Sequence, residues 1–222
     1  MDLAVAVRRG LRIMKIEIQN DFSPSKIVCV GRNYADHAAE LGNEVPKEPL
    51  LFLKAPSSVI YNDDSIVIPE QSSQVEHEGE LAIVMSQKVK GLADDIDVTP
   101  YIHGFACLND VTARDLQKKD VQFTRGKSFD TFCPIGPHIE TELDWRDISV
   151  VCRVNGEVKQ SGQTSQMVFP VDFLIRYISR QMTLLPGDVI ATGTPSGVSK
   201  LSTGDVCEVE IEGIGTLTNS VI

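Results

Sequence analysis

Residues 74–85, QVEHEGELAIVM, constrain this chain more than any other stretch. Glu78 and Glu80 stand two residues apart, and an extended backbone sends side chains i and i+2 to one face, so both carboxylates point the same way. The apolar run over residues 81–85 then reads as a buried strand. Two acids on one face at the mouth of such a strand repel each other and resist burial, unless a cation neutralises them or one takes up a proton. A divalent metal meets that need. Oxygen-only donors favour Mg²⁺, Mn²⁺ or Ca²⁺ over zinc, which usually recruits His or Cys. A third acid is then expected, and Asp110 is the candidate, since it closes a second apolar run, FACLND, just before the helix-like TARDLQKKD. An isolated E-x-E pair is more often a solvated strand edge. The flanking apolar run and the motifs elsewhere in the chain reverse that preference.

The chain has 222 residues, long enough for one large domain with a real core. Hydrophobic residues make up 42% of it, yet no apolar run approaches the roughly 18 residues of a membrane span, so a globular protein outside the membrane is expected. A net charge of −10 argues against nucleic acid, whose phosphates it would repel, and means that a small anionic substrate needs a cation at its site. Five cysteines without a C-x-x-C motif, three of them (Cys29, Cys107, Cys152) inside strand-like apolar runs, read as reduced core residues and a cytoplasmic compartment. Arg8, Arg9 and Arg12 precede a second candidate start at Met14, and LAVAV is too short for a signal-peptide core. Residues 1–26 are expected to be an N-terminal extension plus an edge strand, and residues 27–222 one catalytic domain.

Strands are expected from residue 13 (IMKIEI), in KIVCVG, in LLFLKAPSSVI, in SIVIP and in IHGFACLND. Between the second and third, RNYADHAAELG has helix formers and places His37 three residues before Glu40, on one helix face. A carboxylate there can orient the imidazole and raise its basicity, as a water-activating base requires. Thr112 is a candidate cap for a helix on which Arg114 and Gln117 face one way. FTRGKSFDTFCPIGP, dense in Gly and Pro, reads as a loop that carries Lys127. Asn155-Gly156 marks a hairpin turn, PVDFLIRYISRQ an amphipathic helix with Phe173, Leu174 and Ile178 in its apolar stripe, and the C-terminus a two-strand meander. Thr192 and Thr194, in a Gly- and Pro-rich loop, are candidate donors to an anion. Residues 33–47 hold few branched apolar anchors and are expected to form a lid, loose without ligand.

GRNYADH, the acids of residues 77–81, NDVTARDLQ, GKSFD, CPIGP, VNGEVKQ and PGDVIATGTPSGV, in this order, closely resemble the fumarylacetoacetate hydrolase superfamily, in its short single-domain branch. The resemblance implies a β-rich α+β fold, a mixed β-sandwich roll, and a homodimer. It implies Mg²⁺ or Mn²⁺ on Glu78, Glu80 and Asp110, a water-activating dyad of His37 and Glu40, and stabilisation of developing charge by Lys127 and Gln117. Arg114 and Thr194 match substrate contacts. Gly79 departs from the pattern, since related sequences often carry a larger apolar residue between the two acids.

The activity expected is hydrolysis of the carbon–carbon bond of an acylpyruvate-type 2,4-dioxo acid through a metal-bound pyruvate enolate. Oxaloacetate decarboxylation or tautomerisation, or hydroxydienoate isomerisation, is the alternative on the same scaffold. A dimeric β protein with a structural Ca²⁺ is the non-enzymatic reading, and it leaves His37, Glu40 and Lys127 without a task.

Overall fold

The structure, a computed structural model, describes residues 15–18 and 22–222, so the extension over residues 1–13 and the start at Met14 lie outside the described residues. In chain order the strands are β1 (Lys15–Glu17), β2 (Ile27–Gly31), β3 (Leu50–Lys54), β4 (Val59–Ile60), β5 (Ser65–Ile66), β6 (Val75–Glu76), β7 (Gly79–Met85), β8 (Ile102–Asn109), β9 (Thr112–Ala113), β10 (Cys133–Glu140), β11 (Ser149–Val154), β12 (Glu157–Gln163), β13 (Val189–Ala191), β14 (Val206–Ile211) and β15 (Gly215–Val221). The helices are α1 (Ala35–Glu40), α2 (Arg114–Lys119), α3 (Thr124–Lys127) and α4 (Val171–Gln181). This is a β-rich α+β chain, as its sequence led us to expect.

Burial follows side-chain period. Every residue of β7 is buried, the mark of a strand covered on both faces, whereas β11 alternates buried with more open positions. The larger sheet runs β1-β10-β8-β7-β13-β2-β3 and the smaller β12-β11-β14-β15-β5, with β6 and β9 paired separately. Only β13 to β2, within the first path, is parallel. One face of the larger sheet, with Leu81, Ile83, Phe105 and Cys107, shares a core with Val150, Cys152 and Val209 of the smaller one. Gly79 lies at that seam. A Cβ there would sit 3.2 Å from Cys152 Cβ and 3.3 Å from Val209 Cγ1, which accounts for glycine at the position.

The larger sheet also curls. Only four residues separate β3 at one end from β4, and β4 pairs in parallel with β10 towards the other end. The two ends are thereby drawn together around the opposite face. A concave interior is narrow, and this one is filled largely by small side chains, including Cys29, Ala82, Ala106, Cys133 and Ala191. All five cysteines are free and buried, and among the described residues no helix is long and apolar enough to cross a membrane.

Three local expectations change and one holds. The stretch expected as a loop from residue 123 contains α3 and the start of β10, which accommodates Pro137 at a register shift beyond Gly136 and pairs Pro134 with Ile60 of β4. Thr112 does not cap α2 but lies in β9, its Oγ1 donating to the Asp110 carbonyl at 2.8 Å. Phe173 leaves the buried stripe of α4: it is 42% exposed and stacks between Phe169 and Tyr177. The Asn155-Gly156 turn forms as expected, with φ of 53° and 78°.

Candidate active site

Antiparallel pairing of β7 and β8 assembles the acids. Gly79 lies opposite Asn109, so Glu78 and Glu80 at the start of β7 meet Asp110 just beyond the end of β8. One carboxylate oxygen from each lies within 4.8 Å of the others, and all three residues are buried, with Asp110 wholly inaccessible. The backbone reinforces the pairing: Asp110 N–H donates to the Glu78 carbonyl, and the Glu78 N–H donates to Asn109 Oδ1, both at 2.9 Å.

Three cations neutralise part of this cluster. Lys127 Nζ donates to Glu78 Oε2 at 2.8 Å and to Asp110 Oδ2 at 2.6 Å. Arg114 bridges Glu76, through Nε at 2.7 Å, and Glu78, through Nη2 at 2.5 Å, while its Nη1 donates to Gln117 Oε1 at 2.6 Å. Lys54 Nζ, from across the concave interior, donates to Asp110 Oδ1 at 2.6 Å and to the Val111 carbonyl at 3.1 Å. Lys54 was not foreseen in the site. Its only sequence signal is a lysine closing an apolar strand, LLFLK, and the curl of the sheet alone brings it to Asp110. Lys54→Met is expected to destabilise the protein by about 3 kcal/mol, near the low end for breaking a buried ion pair because Lys127 still faces Asp110. A thermal midpoint equal to wild type would show that Lys54 is dispensable there.

The unequal sharing of cations splits the carboxylates. Burial pushes Glu78 up, but the Lys127 and Arg114 charges outweigh it and hold its pKa well below the ordinary carboxylate range. Glu80 moves the opposite way: burial, then Asp110 and Glu78, raise it well above 4.5, against the Gly193 N–H that donates to its Oε2 at 2.7 Å. Three carboxylates with all-oxygen donors, one of them driven towards its protonated form by its neighbours, fit a hard divalent cation that would take the place of that proton.

His37 lines the same cavity of about 210 Å³ as the acid cluster, together with Arg114, Gln117, Lys127 and Thr194. Its Nδ1 lies 3.3 Å from Glu40 Oε2, and the Gly197 N–H donates to both Glu40 oxygens at 3.1 Å. The i,i+3 spacing on α1 makes the pair, and the loop after β13 fixes its carboxylate. α1 is formed and anchored at its start, although residues 33–47 hold few branched apolar residues. Ala38 is wholly buried, and the fully buried Asn33 donates through Nδ2 to the Phe169 and Thr192 carbonyls and accepts the Phe169 N–H through Oδ1. Counting branched apolar residues missed these anchors, which are a small residue and an amide. Thr194 lines the cavity, but its hydroxyl donates to the Gly79 carbonyl at 2.8 Å and accepts from Gln160 Nε2 at 2.6 Å.

Fold and site together define a class: a β-rich α+β chain with a buried cluster of three carboxylates that could hold a metal ion and a His–Glu pair facing one cavity. The chain belongs to the fumarylacetoacetate hydrolase family, whose description as the fumarylacetoacetate (FAA) hydrolase C-terminal region matches residues 26–222. Human oxaloacetate tautomerase FAHD2A, mitochondrial, is 44% identical over 211 residues, covering 90% of this chain and 67% of that relative. The crystal structure of 5-carboxymethyl-2-hydroxymuconate delta-isomerase from Mycobacterium smegmatis superposes with a TM-score of 0.84 at 44% identity, covering 90% of this chain and 77% of that one. Fumarylacetoacetate hydrolase (EaFAH) from psychrophilic Exiguobacterium antarcticum gives 0.83 at 45% identity, covering 90% and 76%.

Proposed function

We propose that this chain is a divalent-metal-dependent enzyme acting on small 2-oxo acids, and that its reaction is keto–enol proton transfer at the carbon beside the keto group. The observation that supports this reading most is the His37–Glu40 pair facing the same cavity as Glu78, Glu80 and Asp110. A divalent ion on those acids would supply Lewis acidity to a 2-oxo carbonyl, making the adjacent C–H more acidic. His37 moves the proton between carbon and oxygen. Glu40, fixed by the Gly197 N–H, orients the imidazole. Lys127 and Lys54 hold Asp110, and Arg114 holds Glu78 while turning Gln117 towards the cavity. Phe52, Leu50 and Val30 on the wall limit the water around the reacting carbon. The tautomerase and isomerase names of the relatives agree with this chemistry.

Hydrolysis of acylpyruvates is the second reading, favoured by the same oriented dyad, which can take a proton from water instead of carbon, and by the hydrolase name of EaFAH. Ultraviolet absorbance separates the two. With Mg²⁺, oxaloacetate enol–keto interconversion should exceed its spontaneous rate, and EDTA should remove the excess. Faster cleavage of acylpyruvates than tautomerisation would make the second reading primary. No Mg²⁺-dependent turnover of either substrate would defeat both.

A further inference from the structure

Arg32 stands apart from the buried cations at the cavity. Lys127 and Arg114 are engaged by carboxylates, and Lys54 by Asp110, whereas Arg32 lines the cavity half-buried with no hydrogen bond or ion pair among the described residues. A shortage of acids does not explain this, because Asp and Glu outnumber Lys and Arg 31 to 21. The exposed Lys118 lies on the same cavity, also without a partner among the described residues.

The backbone at Arg32 is costly to hold. Its φ is 59°, the left-handed region that Gly and Asn enter readily and a long side chain enters at a penalty. The next residue locks that bend, since Asn33 makes three hydrogen bonds to the backbone of Phe169 and Thr192, and Gly193 is so close that a Cβ on it would lie 2.7 Å from Asn33 Cβ. An arginine at a position suited to glycine or asparagine fits strain held for a functional purpose. The guanidinium is placed at the cavity rim, rigidly rooted and unpaired.

We propose that Arg32 binds a second, terminal carboxylate of the substrate, so that the site takes 2-oxo diacids in preference to 2-oxo monoacids of the same length. This rests on the proposed function, in which the 2-oxo acid end lies at Glu78, Glu80 and Asp110. Guanidinium and carboxylate meet through paired, charge-assisted hydrogen bonds, so the terminal charge should be read with geometric selectivity.

Calorimetric titration of the Mg²⁺-loaded protein tests this without turnover. 2-Oxoglutarate and 2-oxovalerate share the chelating end and the five-carbon length, and differ in a terminal carboxylate against a methyl. Wild type should bind the diacid about 10–100-fold more tightly, the range for a hydrogen-bonded charge pair. In Arg32→Asn, which suits the left-handed backbone, that preference should collapse to within about threefold. Arg32→Lys should keep part of it. Equal affinities in wild type, or a preference undiminished in Arg32→Asn, would overturn the role of Arg32 and leave the proposed function standing. Failure of both ligands to bind the loaded protein would overturn the proposed function, and this inference with it.

Discussion

Glu80→Gln is expected to abolish Mg²⁺ and Mn²⁺ binding, and turnover with it, while leaving the metal-free protein folded and no less stable than wild type. Loss of a group that merely orients a metal ligand costs about 10–100-fold in affinity, so loss of a ligand charge should cost more than about 100-fold. Stability should not follow. Burial and the adjacent Asp110 and Glu78 charges already favour the protonated form of Glu80, and Gln closely matches that form in shape and charge.

The pH dependence gives a second readout. A carboxyl whose folded pKa is raised above 4.5 binds more protons in the folded than in the unfolded state, so its contribution to stability falls as pH rises from about 4.5 towards the folded value. Glu80→Gln should remove that decline in the metal-free protein, and saturating Mg²⁺ should oppose it in wild type. Glu78 acts in the opposite sense, since its lowered pKa contributes stability above about 4.5 that is lost on acidification. Calorimetric Mg²⁺ affinity unchanged in Glu80→Gln would remove this residue from the metal site. Unfolding of the variant at neutral pH would mean that the Glu80 charge is structural.

His37→Ala is expected to lower turnover by about 10²–10⁴, the usual contribution of a positioned general base, with Mg²⁺ affinity retained. The imidazole is buried, oriented by Glu40 at 3.3 Å, and faces the acid cluster across the cavity, so its removal leaves no other histidine on that wall. Reactions differ in how much they need it. Proton transfer from carbon or water requires a base, whereas decarboxylation of oxaloacetate breaks its bond without one and should fall less. Glu40→Gln keeps a hydrogen-bonding partner at Nδ1 but removes the charge, and should give a smaller loss than His37→Ala. Equal losses on tautomerisation, cleavage and decarboxylation would assign His37 to substrate binding. Unchanged rates would exclude the dyad from catalysis.

The sequence by itself determined whatever a local period or short spacing controls. A five-residue apolar run, residues 81–85, made β7 a buried strand, the i+2 spacing put Glu78 and Glu80 on one face, and the i+3 spacing paired His37 with Glu40. Asn155-Gly156 specified a hairpin because both residues tolerate positive φ. Long-range geometry decided the rest. Pairing of β7 with β8 brought Asp110 to the two glutamates, and closure of the sheet through β3 and β4 carried Lys54 to Asp110 from 56 positions away. The anchoring of α1 was hidden because a buried amide and an alanine fix it, and neither shows as hydrophobicity. Nor does residue type show whether a cation is engaged. Lys127 and Arg114 pair with acids distant in sequence while Arg32 lines the cavity without a partner among the described residues, because partner choice depends on distances and burial that exist only once the sheet has curled.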